Sequence, residues 1–207
     1  SSNAQGVISL TSISTVLQNA NTVTVKAGTV SVTKDASFGD KSSTNPNGTV
    51  NASAAKVGSF IITAGAGEDV DVSQITLTET ASTCIGTYMQ NLVLKDSAGK
   101  QLGATYPNPS SSCATANTYT FNISPAARIT NGAQYAVGVY GDLKAAYTAG
   151  AALVQLSAVS ATGVKTGSSA SVSSQALALQ VNYIANSGAY TVAIDSDTPV
   201  ATNDLMG

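Results

Sequence analysis

The sequence predicts an all-β protein, an antiparallel Greek-key β-sandwich, and three observations carry that expectation. Polar and apolar residues alternate with period 2 along most of the chain, and no helical stripe appears. Clusters of Gly, Asn, Pro and Ser interrupt the alternation at strand-sized intervals. There is no Trp and there are only three Phe, so the core must be assembled from aliphatic side chains on pleated faces.

The elements follow in order. Val7-Ile8-Ser9-Leu10-Thr11-Ser12-Ile13 is an apolar stretch, and Thr22 to Lys26 and Thr29 to Val32 are strand-like runs. Lys41 to Ala55 has no periodicity and reads as a long surface loop. Asp69-Val70-Asp71-Val72 leads into Ile75 to Glu79 as a half-buried strand. Asn91 to Lys95, the turn Asp96 to Lys100 and Gln101 to Gly103 form a hairpin. Tyr119 to Ile123 is a strand stopped by Ser124-Pro125; Gln134 to Tyr140, Leu153 to Val159, Leu177 to Tyr183 and Tyr190 to Ile194 complete the series. Gly163 to Ser174 is a second loop or a covered edge. The expected organisation is an N-terminal strand segment over 1–27, a sandwich over 28–186 and a C-terminal strand or stub over 187–207. Gly28 to Asp35 and Gly188 to Asp195 can be laid over each other, as tandem repetition, strand exchange or two ordinary edge strands.

Composition narrows the chemistry. The 207 residues include 11 acidic and 9 basic residues and no histidine, for a net charge of -2. Without histidine there is no Ser-His-Asp or Cys-His catalysis, no HExxH zinc site and no histidine pH switch. Nine scattered cations argue against nucleic acid, which needs clustered Lys or Arg. No run of 18 apolar residues exists, so no transmembrane segment is expected. The polar start Ser1-Ser2-Asn3-Ala4 fits either a mature terminus or a tag remnant. Ser and Thr number 27 and 25, so the outer faces are expected to be hydroxyl-rich rather than charged.

Cys84 and Cys113 each lie in a Ser/Thr-rich stretch without a base or further metal ligands nearby, and they read as a disulfide. Closing a loop of about 30 residues would contribute on the order of 3–4 kcal/mol in the chain-entropy model. Such a bond implies an oxidising compartment, hence a secreted or extracellular cell-surface location.

The remaining candidates are carboxylates, asparagines and tyrosines. Glu68, Asp69 and Asp71, with Asp35 and Asp40, could present oxygen ligands to calcium, or could form a solvated turn; Asp195, Asp197 and Asp204 form a similar group. Calcium is the only cofactor this composition suggests. Glu68 and Glu79 are the only glutamates available as a glycosidase pair, and no Trp-lined cleft accompanies them. Asn47, Asn51 and Asn122 fit the N-glycosylation pattern. Tyr88, Tyr106, Tyr119, Tyr135 and Tyr147 could offer stacking platforms for glycans or could be ordinary strand residues. Lys34 or Lys56 could enter an isopeptide bond if buried opposite an Asn and an acid, and Gly65-Ala66-Gly67 reads as a turn.

The stretch Gly67-Glu68-Asp69-Val70-Asp71-Val72-Ser73-Gln74-Ile75-Thr76-Leu77 resembles the repeated sandwich domains of bacterial and archaeal surface proteins. Asn91-Leu92-Val93-Leu94-Lys95-Asp96 and Gly99-Lys100-Gln101-Leu102-Gly103 share that resemblance, which covers roughly Val57 to Ala161. It implies an Ig-like, cohesin-like or jelly-roll-like module serving as a brick in an S-layer-type envelope, an adhesin or a pilus-like fibre. Related fibre subunits often donate a terminal strand to a neighbour. Val7, Ile8, Leu10, Ile13 and Val16 would form such an assembly strand here, or the first strand of the chain's own sheet. The expected function is a non-catalytic extracellular structural subunit whose partners are copies of itself. The alternative is a carbohydrate- or ligand-binding adhesin module in contact with surface glycans.

Overall fold

In a computed structural model of the chain, residues 26–80, 84–112, 116–173 and 176–187 are described. The described residues form strands β1 (Thr29–Lys34), β2 (Gly48–Thr49), β3 (Ala55–Ala64) and β4 (Val70–Glu79), then one helical turn, α1 (Ile85–Tyr88). Next come β5 (Met89–Asp96), β6 (Gln101–Tyr106), β7 (Thr118–Ile129), β8 (Gln134–Leu143) and β9 (Val154–Gly163). Three short strands follow: β10 (Ser171–Ser173), β11 (Leu177–Ala178) and β12 (Ile184–Ala185). The protein is all-β, with a six-stranded sheet ordered β10-β1-β3-β8-β5-β6 and a four-stranded sheet ordered β11-β9-β4-β7. A small third sheet pairs β12 with β2. Only β1–β10 and β2–β12 are parallel.

One apolar cluster joins the two main sheets. Val32, Phe60, Ile62, Leu94, Val137 and Val139 come from the larger sheet, and Val70, Val72, Ile75, Leu77 and Phe121 from the smaller. β4 shows how sequence becomes packing. Val70 and Val72 point inward, then Ile75, Leu77 and Glu79 do so, with the phase reset between them. The reset is a bulge: pairing to both β7 and β9 shifts between Val72 and Gln74. One extra residue keeps both halves of the alternation facing the core.

β6 and β7 approach each other across the sheets. The Tyr106 hydroxyl donates to the Thr120 carbonyl at 2.8 Å and accepts from the Thr120 N–H at 2.9 Å. Gly103, at φ 76°, permits this approach, since a Cβ there would lie 3.1 Å from the Asn122 carbonyl oxygen. That φ disfavours any other residue, and a Cβ there would press on the Asn122 carbonyl and the Phe121 side chain.

Several expectations need correction. The Ser124-Pro125 step does not end its strand, because β7 continues to Ile129. Residues 123–126 fall where pairing to β4 jumps from Asn122 to Ala127, so the proline occupies a bulge and no ladder donor is lost. The Lys41–Ala55 stretch is partly ordered by β2 and by the Ser42–Asn45 bridge. The second predicted loop contains β10, which covers part of β1.

Leu177 to Tyr183 is a strand only at Leu177–Ala178. Beyond that point the Leu179 N–H still donates to the Val154 carbonyl and the Asn182 N–H to the Ala151 carbonyl, and polar side chains add bonds across to β3. Gln180 is buried; its amide nitrogen donates to the carbonyls of Asp35 and Ser59, and its oxygen accepts the Ser59 N–H, all at 2.9 Å. Asn182, fully buried, donates to the Val57 carbonyl and accepts the Leu153 N–H. Leu179 packs on Gly58, where a Cβ would come within 2.8 Å of it. The segment is therefore stitched to β3 by amide side chains, with Leu179 in the apolar core beside Gly58, and polar groups that burial would otherwise strand are satisfied.

Gln180→Ala should cost about 1–3 kcal/mol, since it strands the buried Ser59 N–H and takes one of two donors from each of the Asp35 and Ser59 carbonyls. Urea unfolding at neutral pH measures this; a change within about 0.5 kcal/mol, the level of an ordinary surface substitution, would contradict the assignment.

Candidate functional site

The site with the most open chemistry is the edge of the six-stranded sheet at β1. Pairing to β3 fixes how that strand is oriented. The Gly65 N–H donates to Thr29 and the Asp35 N–H to Ser59, which directs the odd-numbered backbone groups toward β3. The even-numbered groups, at Val30, Val32 and Lys34, therefore face the other way. On that side β10 pairs with Thr29, Val30 and Ser31 only. Among the described residues no strand pairs with the outer side of Val32 to Lys34. Val32 is buried in the core, whereas Thr33 and Lys34 are exposed. Lys34 lies 3.5 Å from Asp40 across solvent-exposed side chains, a weak surface pair. A groove of about 310 Å³ crosses the paired half of the edge, between Val30, Ala64 and Val172.

The chain enters this edge through a carboxylate latch. Glu68 is only 3% exposed. Its Oε1 accepts the Gly28 N–H at 2.9 Å and the Thr166 hydroxyl at 2.7 Å. Its Oε2 accepts the N–H groups of Lys165 at 2.7 Å and Thr166 at 3.0 Å. Gly163 leaves the room for it, because a Cβ there would collide with the Glu68 carboxylate. The start of β1 and the β9–β10 turn are thus held by one side chain. The Thr166 hydroxyl lowers the carboxyl pKa most; burial opposes it, and the N–H groups of Thr166, Lys165 and Gly28 add to the lowering.

The acidic trio expected as a calcium site is divided among three tasks. Glu68 faces inward; Asp69 accepts the Asn131 N–H at 2.9 Å; Asp71 forms a bidentate pair with Arg128, at 2.9 Å for each bond, on the exposed side of β4. The Arg128 hydrogen bond holds the Asp71 carboxyl below its ordinary range, against a smaller opposing effect of burial. Asp35 is buried against Ser37 and Ser59, and Asp40 accepts the Val181 N–H. Among the described residues no group of three or more Cys, Asp or Glu side chains is placed to hold a metal ion. Asp195, Asp197 and Asp204 lie outside the described residues.

Glu79 is a second buried carboxylate, at the other end of β4. It accepts the Ile85 N–H and the Tyr119 hydroxyl on one oxygen, and the Asn117 N–H and amide on the other. The Tyr119 hydroxyl is correspondingly hard to ionise: burial raises its pKa most and the Glu79 hydrogen bond raises it further, against a smaller lowering by the Ser110 N–H. Glu68 and Glu79 flank a ten-residue strand, a separation on the order of 30 Å, so they cannot straddle one glycosidic bond. Glu79 instead gathers the stretches that carry the cysteines. Cys84 precedes α1 and there is no free cysteine among the described residues; Cys113 lies outside them.

The remaining candidates serve mainly as structure. Tyr88 packs edge-on against Tyr147 at 4.8 Å, and Tyr106 against Tyr119 and Phe121 at 5.3 and 5.2 Å. Tyr135 donates to Asp96. None of the five forms an exposed row with the others. The Asn47 amide donates to the Lys56 carbonyl and its oxygen accepts the Tyr183 N–H, so this side chain holds the segment after β11 to the start of β3. Asn51 is exposed in a turn at φ 73°, and Asn122 is exposed on β7, accepting from Gln74. Val7, Ile8, Leu10, Ile13 and Val16 lie outside the described residues. No family model matches the chain, and neither a curated protein nor a solved structure matches it.

The Glu68 latch makes a pH prediction. A carboxylate whose folded pKa is lowered stabilises fully above its ordinary unfolded value, and loses that contribution as pH falls through the folded value. Thermal unfolding midpoints should therefore fall more steeply on acidification from about pH 7 to pH 3 in the wild type than in Glu68→Gln. Glu68→Gln should also be the less stable protein at neutral pH. Parallel midpoint curves would exclude the latch.

Proposed function

We propose that this chain is a non-catalytic structural subunit of an extracellular filament or envelope layer, built as a Greek-key, Ig-like sandwich. Copies associate when the N-terminal segment of one, carrying Val7, Ile8, Leu10, Ile13 and Val16, adds as a strand to the β1 edge of another. The observation that carries this reading is the incomplete cover of β1. Three residues of β10 pair with its first half and no described strand pairs with Val32 to Lys34. An open edge presents ready backbone donors and acceptors, and strand addition satisfies them while alternate side chains supply specificity. The donor segment matches in kind, being rich in apolar residues and free of charge from Val7 to Val16. The scarcity of charge on the whole chain supports close packing of copies, because few ions must be desolvated.

Lys34→Pro tests the edge directly. The Lys34 N–H faces away from β3, so proline removes an outward donor and spares the β1–β3 ladder. The subunit should keep its stability to within about 1 kcal/mol, while polymers seen by sedimentation and electron microscopy disappear. Removing residues 1–16 should also abolish assembly, and a peptide spanning those residues should bind the truncated subunit. Polymers formed as usual by both variants would refute strand donation.

The same reading includes a Cys84–Cys113 disulfide formed in an oxidising compartment. Thiol titration of the denatured, unreduced protein should find no free thiol, and reduction should cost on the order of 3–4 kcal/mol of unfolding free energy. Two titratable thiols in protein taken from its native location would count against both the bond and the compartment.

A further inference from the structure

We propose that the solvent side of the six-stranded sheet binds an oxyanion carried on a small hydroxyl-bearing molecule, in a trough where Lys41, Lys56 and Lys95 converge. The trough encloses about 400 Å³ between β3, β8 and the β5–β6 turn, the small end of the range for ligand pockets. Strand register builds it. Ser59, Gly138 and Lys95 lie abreast on β3, β8 and β5, and Lys56, Tyr140 and Val93 form the next row. Gly138 has no left-handed φ to explain it. What it provides is space, since a Cβ there would lie 2.6 Å from Cε2 of Tyr140 and 3.0 Å from Cε of Lys56. The Tyr140 ring and the Lys56 stem therefore close over one floor.

Cations gather at this place. Lys56 stands over the Phe38 ring at 4.8 Å and Lys41 over the same ring at 4.2 Å, while Lys95 stands over the Tyr140 ring at 5.3 Å. Lys41 also donates to the Phe38 carbonyl at 3.1 Å. Among the described residues the ammonium groups of Lys56 and Lys95 have neither a hydrogen bond nor an ion pair, and the Tyr140 hydroxyl has no hydrogen bond. Burial pushes the Lys56 ammonium below the ordinary lysine range; Asp35 opposes that shift and Lys41 adds to it. The acids nearby are engaged. Asp35 accepts the N–H and hydroxyl of Ser37 and the hydroxyl of Ser59. Asp96 pairs with Val137 on the core face, where it accepts the Ala98 and Lys100 N–H groups and the Tyr135 hydroxyl. Asp40 accepts the Val181 N–H and faces Lys34.

That set selects the ligand class. Neighbouring ammonium groups repel one another, and an oxyanion placed among them removes the repulsion and accepts charge-assisted hydrogen bonds. Lys56 is already partly desolvated, so that part of the binding cost precedes the ligand. A purely apolar ligand would strand the ammonium groups. One small group of lysines on a chain of net charge -2 is too little for nucleic acid. Away from the lysines the lining is Ser97, Gly99 and Ala136, small and uncharged, which suits a hydroxyl-bearing body behind the anionic group. A sugar acid and a sugar phosphate each have both parts. The site does not depend on assembly through β1.

The test is amide-shift NMR of the full chain at neutral pH and low salt, titrated to millimolar concentration with glucuronate and with glucose 6-phosphate. Inorganic phosphate serves as the free anion and methyl glucoside as the uncharged body. At least one sugar anion should move the amides of Lys56, Lys95, Ser97 and Gly138 saturably, and should bind more tightly than either control. Whichever sugar anion binds tighter identifies carboxylate or phosphate as the preferred group. Raising the ionic strength from about 0.02 to about 0.3 M should weaken that binding severalfold. Lys56→Gln and Lys95→Gln keep most of each stem and should each weaken it at least about threefold, while Lys95→Arg should retain it. Gly138→Val fills the floor and should abolish it. No saturable shift with either sugar anion, equally tight binding of methyl glucoside or of inorganic phosphate, or unaltered affinity in both folded glutamine variants would each overturn the site.

Discussion

Both glutamates of this chain are buried, one at each end of β4, and the loops around the four-stranded sheet are arranged about them. A buried carboxylate is expensive unless its oxygens are filled with donors. Glu68 recruits backbone N–H groups from the start of β1 and from the β9–β10 turn. Glu79 recruits them from α1 and from the approach to β7. Each therefore fixes segments far apart in sequence at a position that the sheet defines. Charge-assisted hydrogen bonds of this kind are stronger than neutral ones, which suits loops with little apolar surface of their own.

This also explains which parts of the structure are legible in the sequence. The hairpin of β5 and β6 and the two halves of β4 can be read because each has one wet face, so alternation reports the pleat. β3 gives no such signal: it is buried without interruption from Val57 to Phe60, where Leu179 of the core fills the space left by Gly58 and Gln180 takes the Ser59 N–H. Leu177 to Tyr183 fails in the opposite sense. Its alternation is real, but its polar members point into buried carbonyls rather than into water. Glu68 and Glu79 look like surface acids for the same reason, since a donor set drawn from 40 and 98 residues away leaves no local trace. The tyrosines expected as platforms stack on one another or bond to Asp96.

The internal use of acids changes what the low charge content means. Asp35, Glu68 and Glu79 are buried, so at most eight of the eleven acidic residues remain to face outward, against nine basic ones. The formal charge of -2 is small for a chain of 207 residues. Two copies brought edge to edge meet little net repulsion at long range. Specificity must then come from short-range features: the register of backbone groups along Val32 to Lys34, and the apolar spacing of the strand that meets them. A surface of hydroxyls and amides remains wet and soluble as a monomer. It gives up little hydration when it packs against its own kind, because neutral polar groups exchange water for protein partners at far smaller cost than ions. The scarcity of outward carboxylates thus traces to one device: acids placed inside as loop organisers, with hydroxyls and amides left to form much of the outer face.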